Sequence, residues 1–533
     1  MMKRRCRRAF VLTAFLGQSF LLAAPSLADE TIVREFDAGF GPGSVGIVDS
    51  GEDTEIAGPQ AIFAGDHGEI LLLDQINGRV VGFDAADSGK ITRSLALPDG
   101  VDARDLIVAQ GQIYVWDGKP IALDTAGEKL TRSLSAPSDD LTQSMFAQMG
   151  SELVAEPGDG TRALKRPRPS GGNRQVVSTR GLGRVEVGVG RDVEGTGATI
   201  EVRRRGAKAI KLKLAVTDKL GSVEFLEADI DGRMFVLVEN IPAVTMEGAS
   251  TFIARFSRRG EFEGIYELPL TPDVALSRRF VTVSPEGDVY FLRTRKKVVS
   301  VIGVGFRPMP NAKVIDIRGP MPAFADLLKG GRGAIAAVRP LTRQRVQETA
   351  YAFESVTWRV SMSAYGGDPD TRCDGFNRIR RPGYLIGRVG QTVRGIPYCW
   401  GCHGSLAQIA SWIERGTLAG NVCTRNDPRR DVAGVDCSSF VSAAWGLSTH
   451  FTTAAIPSIA APVANPWELR PGDVLNKPRA HVMLFLRFTP DRKVEVMEAS
   501  PGACNGRVCR NVYPLASLLA RGYEPRRFRA LVD

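Results

Sequence analysis

The sequence predicts a multidomain protein in which an all-β, propeller-like N-terminal domain precedes an α+β C-terminal domain. Three observations carry that expectation. The 533 residues exceed what one hydrophobic core usually supports. A strand-turn-strand phrase recurs up to about residue 335. Beyond residue 340 the phrase stops, and helical and strand patterns gather around one Cys and one His. Hydrophobic content of 43% and charged content of 24% are ordinary for globular chains and exclude a disordered or collagen-like one.

Residues 1–28 read as a secretory signal. Lys3, Arg4, Arg5, Arg7 and Arg8 precede an apolar run from Ala9 to Ala24, and Ser26-Leu27-Ala28 offers the small residues of a cleavage site. Gln18 and Ser19 interrupt the run, which is shorter than a membrane-spanning helix. No Cys follows it to carry a lipid. The mature chain is expected to begin near Asp29 in a periplasmic or extracellular compartment.

Charge is uneven along the chain. Residues 336–533 carry 26 Lys or Arg against 16 Asp or Glu, which leaves residues 29–335 net negative within a total of +10. The Arg-rich half suits an anionic polymer or a membrane surface, although a solvated basic face would have the same composition. No tract interleaves aromatic and basic residues, so nucleic acid is not an expected partner.

Residues 29–337 show the repeated β pattern. Ala61–Ala64 leads through Gly65-Asp66-His67-Gly68 into Glu69–Asp74, then past Asn77-Gly78 into Arg79–Asp84. Similar phrases surround Gly111, Gly232 and Gly287. Their intervals fit a period of about 40 to 55 residues if the widest holds further copies, and that is the size of a propeller blade. The first copy resembles an NHL-type propeller repeat, and a β-sandwich pair is the alternative. The region offers no nucleophile, metal cluster or phosphate loop, and His67 reads as a solvated turn residue. It is expected to be a binding or spacing module.

Residues 338–384 read as a connector and the start of the next domain. Thr342 to Phe353 has helical composition, and Gly366-Gly367-Asp368-Pro369-Asp370 is a break. Residues 385–533 follow. Within them Ser405-Leu406-Ala407-Gln408 is a capping-box pattern that starts a scaffold helix ending at Gly416.

The chemistry-bearing pattern begins at Gly434-Val435-Asp436-Cys437-Ser438-Ser439-Phe440-Val441. It reads as a helix capped by Asp436, with Phe440, Val441, Ala444 and Trp445 as its buried stripe. A thiol in the first turn faces unpaired N–H groups and the positive end of the dipole, which favour thiolate. Pro471-Gly472-Asp473 is a turn, and Ala480-His481-Val482-Met483-Leu484-Phe485-Leu486 is a buried strand opening on one of only four histidines. His481 is therefore the expected general base. The strand Val494 to Ser500 follows. A hairpin with its loop at Thr489 to Arg492 would pair Phe485 with Val496, Met483 with Glu498 and His481 with Ser500. Glu498 then shares the His481 face, where its carboxylate could orient the ring.

These segments together resemble the NlpC-type, papain-like cysteine peptidases that hydrolyse bacterial peptidoglycan, over roughly residues 385–530. Tyr398, Trp400 and Gly401 are similar to the family's aromatic-Gly motif, Asp436-Cys437-Ser438-Ser439-Phe440-Val441 to its nucleophile motif, and His481-Val482 to its base strand. The resemblance implies Cys437 as nucleophile, His481 as base and Glu498 as the orienting third residue, where the family often has His, Asn or Gln. It implies Tyr398, Trp400, Asp436 and Ser438 as substrate-binding residues. Cys402 stands where the family has Gly. The implied substrate is a peptide stem of the cell wall, cut at a peptide or isopeptide bond by acyl transfer to water, with no metal or other cofactor required. The rivals are a thiol acyltransferase or amidase acting on lipid or another amide, and an idle wall-binding protein.

Cys399-Trp400-Gly401-Cys402-His403 also spells the haem-attachment pattern, and zinc is a further alternative. The mature chain has seven cysteines: Cys373, Cys399, Cys402, Cys423, Cys437, Cys504 and Cys509. In an oxidising compartment three disulfides and a free Cys437 are the economical reading. Cys504 and Cys509 flank a short turn and could pair, and the other pairing stays open.

Overall fold

The structure is a computed structural model, and it describes residues 30–49, 54–87, 91–98, 101, 103–109, 112–117, 119–123, 174–242, 248–317, 341–366, 380–423 and 431–533. The signal segment, Gly111, most of the Gly366 to Asp370 break and Cys373 lie outside them.

Alternation at period two gives several N-terminal strands two apolar faces. In Glu69–Asp74, Ile70 and Leu72 join one buried cluster while Leu71 and Leu73 join another. A sheet apolar on both faces must be covered on both, and the described residues form a series of small antiparallel sheets that cover one another. One sheet pairs Ala61–Ala64, Glu69–Asp74, Arg79–Asp84 and Ile91–Ala96 in sequence order. It shares one cluster with the sheet of Asp105–Ala109, Gln112–Trp116 and Pro120–Ala122. Its other face shares a cluster with the sheet made by Val281–Val283, Val289–Thr294 and Val298–Val304. That last sheet is completed by the first described strand, Glu30–Asp37, paired antiparallel with Val298–Val304. Two further sheets, over Arg174–Ala215 and over Lys219–Glu267 with Phe306–Pro308, continue the series. The architecture is β-propeller-like, mostly β, with its ends tied by a strand from the beginning of the region.

The C-terminal part is α+β. Its antiparallel sheet runs in the order Ala460–Pro462, Glu524–Phe528, Val474–Lys477, His481–Phe488, Val494–Ser500, Arg507–Tyr513. Alternate residues again separate two faces. Val482, Leu484 and Leu486 pack with the helices Arg343–Ser355, Leu406–Glu414 and Cys437–Ala444. Met483, Phe485, Val494 and Val496 pack with the helix Leu515–Ala520 and with Ile241, Ala249 and Leu276 of the N-terminal region. Each such face removes apolar area from water at about 25 cal/mol per Å².

The two parts are also joined by polar contacts. Lys493 and Glu224 form a buried ion pair at 2.7 Å. The Glu239 carboxylate accepts from the N–H groups of Ala516 and Ser517. The N-terminal region was expected to be a binding or spacing module. It is packed against the sheet that carries His481 and Glu498, where Ile241, Ala249 and Leu276 share the cover of the second apolar face with the helix Leu515–Ala520.

Candidate active site

Asp436 builds the turn from which Cys437 projects. Its Oδ1 accepts from the Ser439 N–H at 2.7 Å, and the Ser439 hydroxyl accepts from the Asp436 N–H at 2.8 Å, a reciprocal cap on the helix Cys437–Ala444. The approach depends on Gly434, where a Cβ would stand 2.5 Å from the Pro397 carbonyl oxygen and 2.7 Å from the Cys399 Cβ. Gly401 N–H donates to Asp436 Oδ2 at 2.9 Å, and Tyr398 and Val435 form a β-bridge. The segment 398–402 is thereby laid along the turn that leads into Cys437, with Tyr398 buried in the core and Trp400 packed at its margin.

Pro471-Gly472-Asp473 is a structural turn. Asp473 pairs with Arg343 at 2.9 Å and Arg527 at 2.8 Å, and the Trp445 indole donates to the Gly472 carbonyl. These contacts fix the C-terminal end of the helix that begins at Cys437 against the sheet.

Cys437 stands outside any disulfide, is wholly buried, and is hydrogen-bonded to the His481 ring. His481 Nε2 lies 2.6 Å from Glu498 Oε2, which leaves Nδ1 as the ring nitrogen for the sulfur. The other carboxylate oxygen of Glu498 accepts from Asn511 Nδ2 and Tyr513 Oη at 2.8 Å each. The hairpin register pairs Phe485 with Val496 and Leu484 with Met497, and a bulge between Phe485 and Arg487 shifts the strand end. Glu498, Val496 and Val494 lie on one face, and Cys509, Asn511 and Tyr513 oppose them in register. Neither Asn511 nor Tyr513 was singled out from the sequence. Their signal is the period-two alternation carried one strand further.

Burial works against a charged imidazole, but the Cys437 sulfur and the Glu498 carboxylate raise the His481 pKa well above its ordinary value. Burial also works against the Glu498 carboxylate, and the bonds from His481, Asn511 and Tyr513 hold its pKa below the ordinary value. Burial pushes the Cys437 thiol up, and the His481 imidazolium and the Val482 N–H only partly offset it. At the sulfur, burial thus works against what the helix N-terminus favours.

A second histidine, His450, was not anticipated. Its Nε2 is 2.7 Å from Ser438 Oγ and 3.4 Å from Asp436 Oδ1, and its ring stacks on His403 with centroids 5.8 Å apart. Burial disfavours the Asp436 carboxylate, but His450 and the N–H groups of Ser439 and Gly401 hold its pKa below the usual value. Ser438 and Asp436 thus belong to a polar group beside Cys437, which itself is turned to His481.

Cys399 and Cys402 are joined in a disulfide, as are Cys504 and Cys509, and Cys423 is also bridged. The two sulfurs of the Cys-x-x-Cys-His segment are therefore engaged with each other. Among the described residues no helix is long and apolar enough to cross a membrane.

As a chemical device, a thiol bonded to a base whose far nitrogen meets a fixed carboxylate can pass its proton to the ring. The resulting imidazolium is stabilised on both sides, and the sulfur can attack a carbonyl.

No protein-family model and no curated protein matches the chain. Solved structures similar to it include a streptogramin B lyase (13% identical, 49% of this chain and 97% of that one, TM-score 0.19), the hydrazine synthase of Kuenenia stuttgartiensis (13%, 47% and 76%, TM-score 0.24) and the virginiamycin B lyase of Staphylococcus aureus (14%, 54% and 77%, TM-score 0.17). Superpositions this loose carry no argument about activity, and the description of the fold rests on the sheets themselves.

Proposed function

We propose that the chain is an exported, papain-like cysteine hydrolase of the NlpC type, carrying an N-terminal propeller of the NHL kind, that cleaves peptide or isopeptide bonds in peptidoglycan stem peptides. The observation that carries this reading is the hydrogen-bonded series Cys437, His481, Glu498, with Glu498 anchored by Asn511 and Tyr513. Cys437 attacks the carbonyl and His481 holds the proton that the leaving amine takes up. N–H groups of the first helical turn steady the oxyanion, and water releases the acyl group. The disulfides suit an oxidising compartment outside the cytoplasm. The Arg-rich C-terminal half supplies attraction to an anionic wall or membrane surface.

A second reading, a wall-binding protein without turnover, is favoured by one observation: Cys437 is 0% and His481 1% exposed. Incubating intact sacculi with wild type and with Cys437→Ala, followed by mass spectrometry of the soluble fragments, separates the two. Stem-peptide fragments from wild type alone support the hydrolase. Co-sedimentation with sacculi and no fragments from either protein supports the binding reading, and fatty acid released from lipid points to an acyltransferase.

A further inference from the structure

We propose that Glu55, supplied by the N-terminal β region, is a positioning residue for His481 and acts through Tyr523. The link to turnover rests on the hydrolase reading; the link to the state of the His481 ring does not.

Tyr523 precedes the strand Glu524–Phe528 and is fully buried. Its ring meets the His481 imidazole edge-on, with centroids 6.4 Å apart and planes at 89°. Its hydroxyl donates to Glu55 Oε2 at 2.7 Å, and Glu55 Oε1 accepts from the Leu276 N–H at 3.3 Å. One carboxylate therefore ties the aromatic wall of the base to the backbone of the other half of the molecule. The backbone beside Glu55 is itself fixed. Ala57 bridges to Val48, and it rests against Gly502, where an added Cβ would come within 2.8 Å of the Ala57 Cβ. Gly502 lies in the loop that leaves the Glu498 strand. The segment 55–57 thus touches Tyr523 beside His481 and the loop that leaves the Glu498 strand.

Charge gives the contact a further consequence. The groups facing His481 are Cys437 from its helix, Glu498 with Asn511 and Tyr513 behind it, and Tyr523. Lys477 is paired with His481 across the sheet, with its Nζ 5.7 Å from the Tyr523 ring. Arg521 lies on the same side, near Glu55, Tyr513 and Tyr523, and Asp436 lies beyond the sulfur. Glu55 is the carboxylate that favours the charged forms of both Lys477 and Arg521, the cations on the Tyr523 side. His481 accordingly has a carboxylate on each flank, Glu498 in direct contact and Glu55 through a tyrosine.

The test uses the full mature chain labelled in its histidine rings. All four histidines lie in the mature chain, so His481 can be assigned by its loss in His481→Asn. Its titration is followed by NMR in wild type, Glu55→Gln, Tyr523→Phe and Glu224→Gln. The last variant loosens the same domain contact at the Lys493 pair, away from Tyr523. Glu55→Gln and Tyr523→Phe are expected to lower the His481 midpoint by at least about 0.5 unit and Glu224→Gln to leave it in place. Turnover of soluble muropeptides is expected to fall roughly ten- to hundredfold in the first two, chiefly in kcat. An unchanged midpoint in both variants overturns the proposal, as does an equal shift in Glu224→Gln. If Glu55→Gln does not fold, Tyr523→Phe, which removes one oxygen, decides. Wild type that shows the shifts yet releases no wall fragments refutes the hydrolase reading and leaves the positioning role standing.

Discussion

His481 Nε2 and Glu498 Oε2 are 2.6 Å apart on a buried sheet face, and the second oxygen of Glu498 is held by Asn511 and Tyr513. That pairing orients the ring toward Cys437. It makes Glu498 a charged neighbour of the base as well as an acceptor. Cys437→Ala and His481→Ala are expected to lower turnover at least ~10³-fold. Glu498→Gln, which keeps an acceptor without the charge, should cost less than Glu498→Ala. Steady-state rates on soluble muropeptides check the order.

The same pairing sets a pH dependence of stability. The His481 pKa is raised in the folded state, so its contribution is fully present below the unfolded value of about 6.5 and is lost as pH rises through the folded value. The Glu498 pKa is lowered, so its contribution is present above the unfolded value of about 4.3 and is lost as pH falls through the folded one. Urea unfolding of wild type and of Glu498→Gln across pH 4 to 10 should therefore differ most between those limits and converge outside them. A constant difference across the range contradicts the pairing.

Thiol chemistry is expected to be selective. Cys399, Cys402, Cys423, Cys504 and Cys509 are bridged, so a thiol reagent applied to the unreduced mature protein should label Cys437 alone and abolish activity. Because the sulfur is buried, labelling should be slow in native protein and accelerate in mild denaturant. Peptide mapping that finds several labelled cysteines contradicts the disulfide assignment.

The domain contact should carry stability. Lys493 and Glu224 are 4% and 8% exposed, and removing one partner leaves the other buried without its counter-charge. Glu224→Ala is expected to destabilise by about 3–5 kcal/mol, and Glu224→Ala with Lys493→Ala by less than the sum. Denaturant midpoints of the single and double variants check this. A fragment of residues 336–533 would lose Ile241, Ala249 and Leu276 from the cluster that holds Met483 and Phe485, so it should lose activity on soluble muropeptides as well as on intact wall. A fragment active on the soluble substrate contradicts an integrated site.

Local chemistry made much of this legible in the sequence, and long-range contact hid the rest. Asp436 as a cap, the apolar stripe of its helix and the strand from His481 follow from capping and period. The closeness of Glu498 to His481 follows from alternation across a short hairpin. Asn511 and Tyr513 needed the register of one more strand, reached through the disulfide-closed turn of Cys504 and Cys509. The bulge near Leu486 has no local signature: it shifts the pairing by one residue on the loop side, while the expected pairing of Phe485 with Val496 holds. His450 lies in a loop whose path no period sets. Glu55 and Tyr523 are separated by 468 residues, and nothing in either local sequence announces the other. The effect of burial on Cys437 was also invisible, because the dipole is a local property and desolvation is not.

The central claim is that Cys437 carries the acyl group of a wall peptide. Rapid quenching of wild type with a defined muropeptide, followed by intact-protein and peptide mass measurement, tests it most directly. A transient mass gain equal to the acyl part of the substrate is expected, mapped to Cys437, absent from Cys437→Ala and accumulating when the supply of water to the acyl-enzyme is slowed in mixed solvent. Wall fragments released with no adduct at Cys437, or released equally by Cys437→Ala, would contradict it.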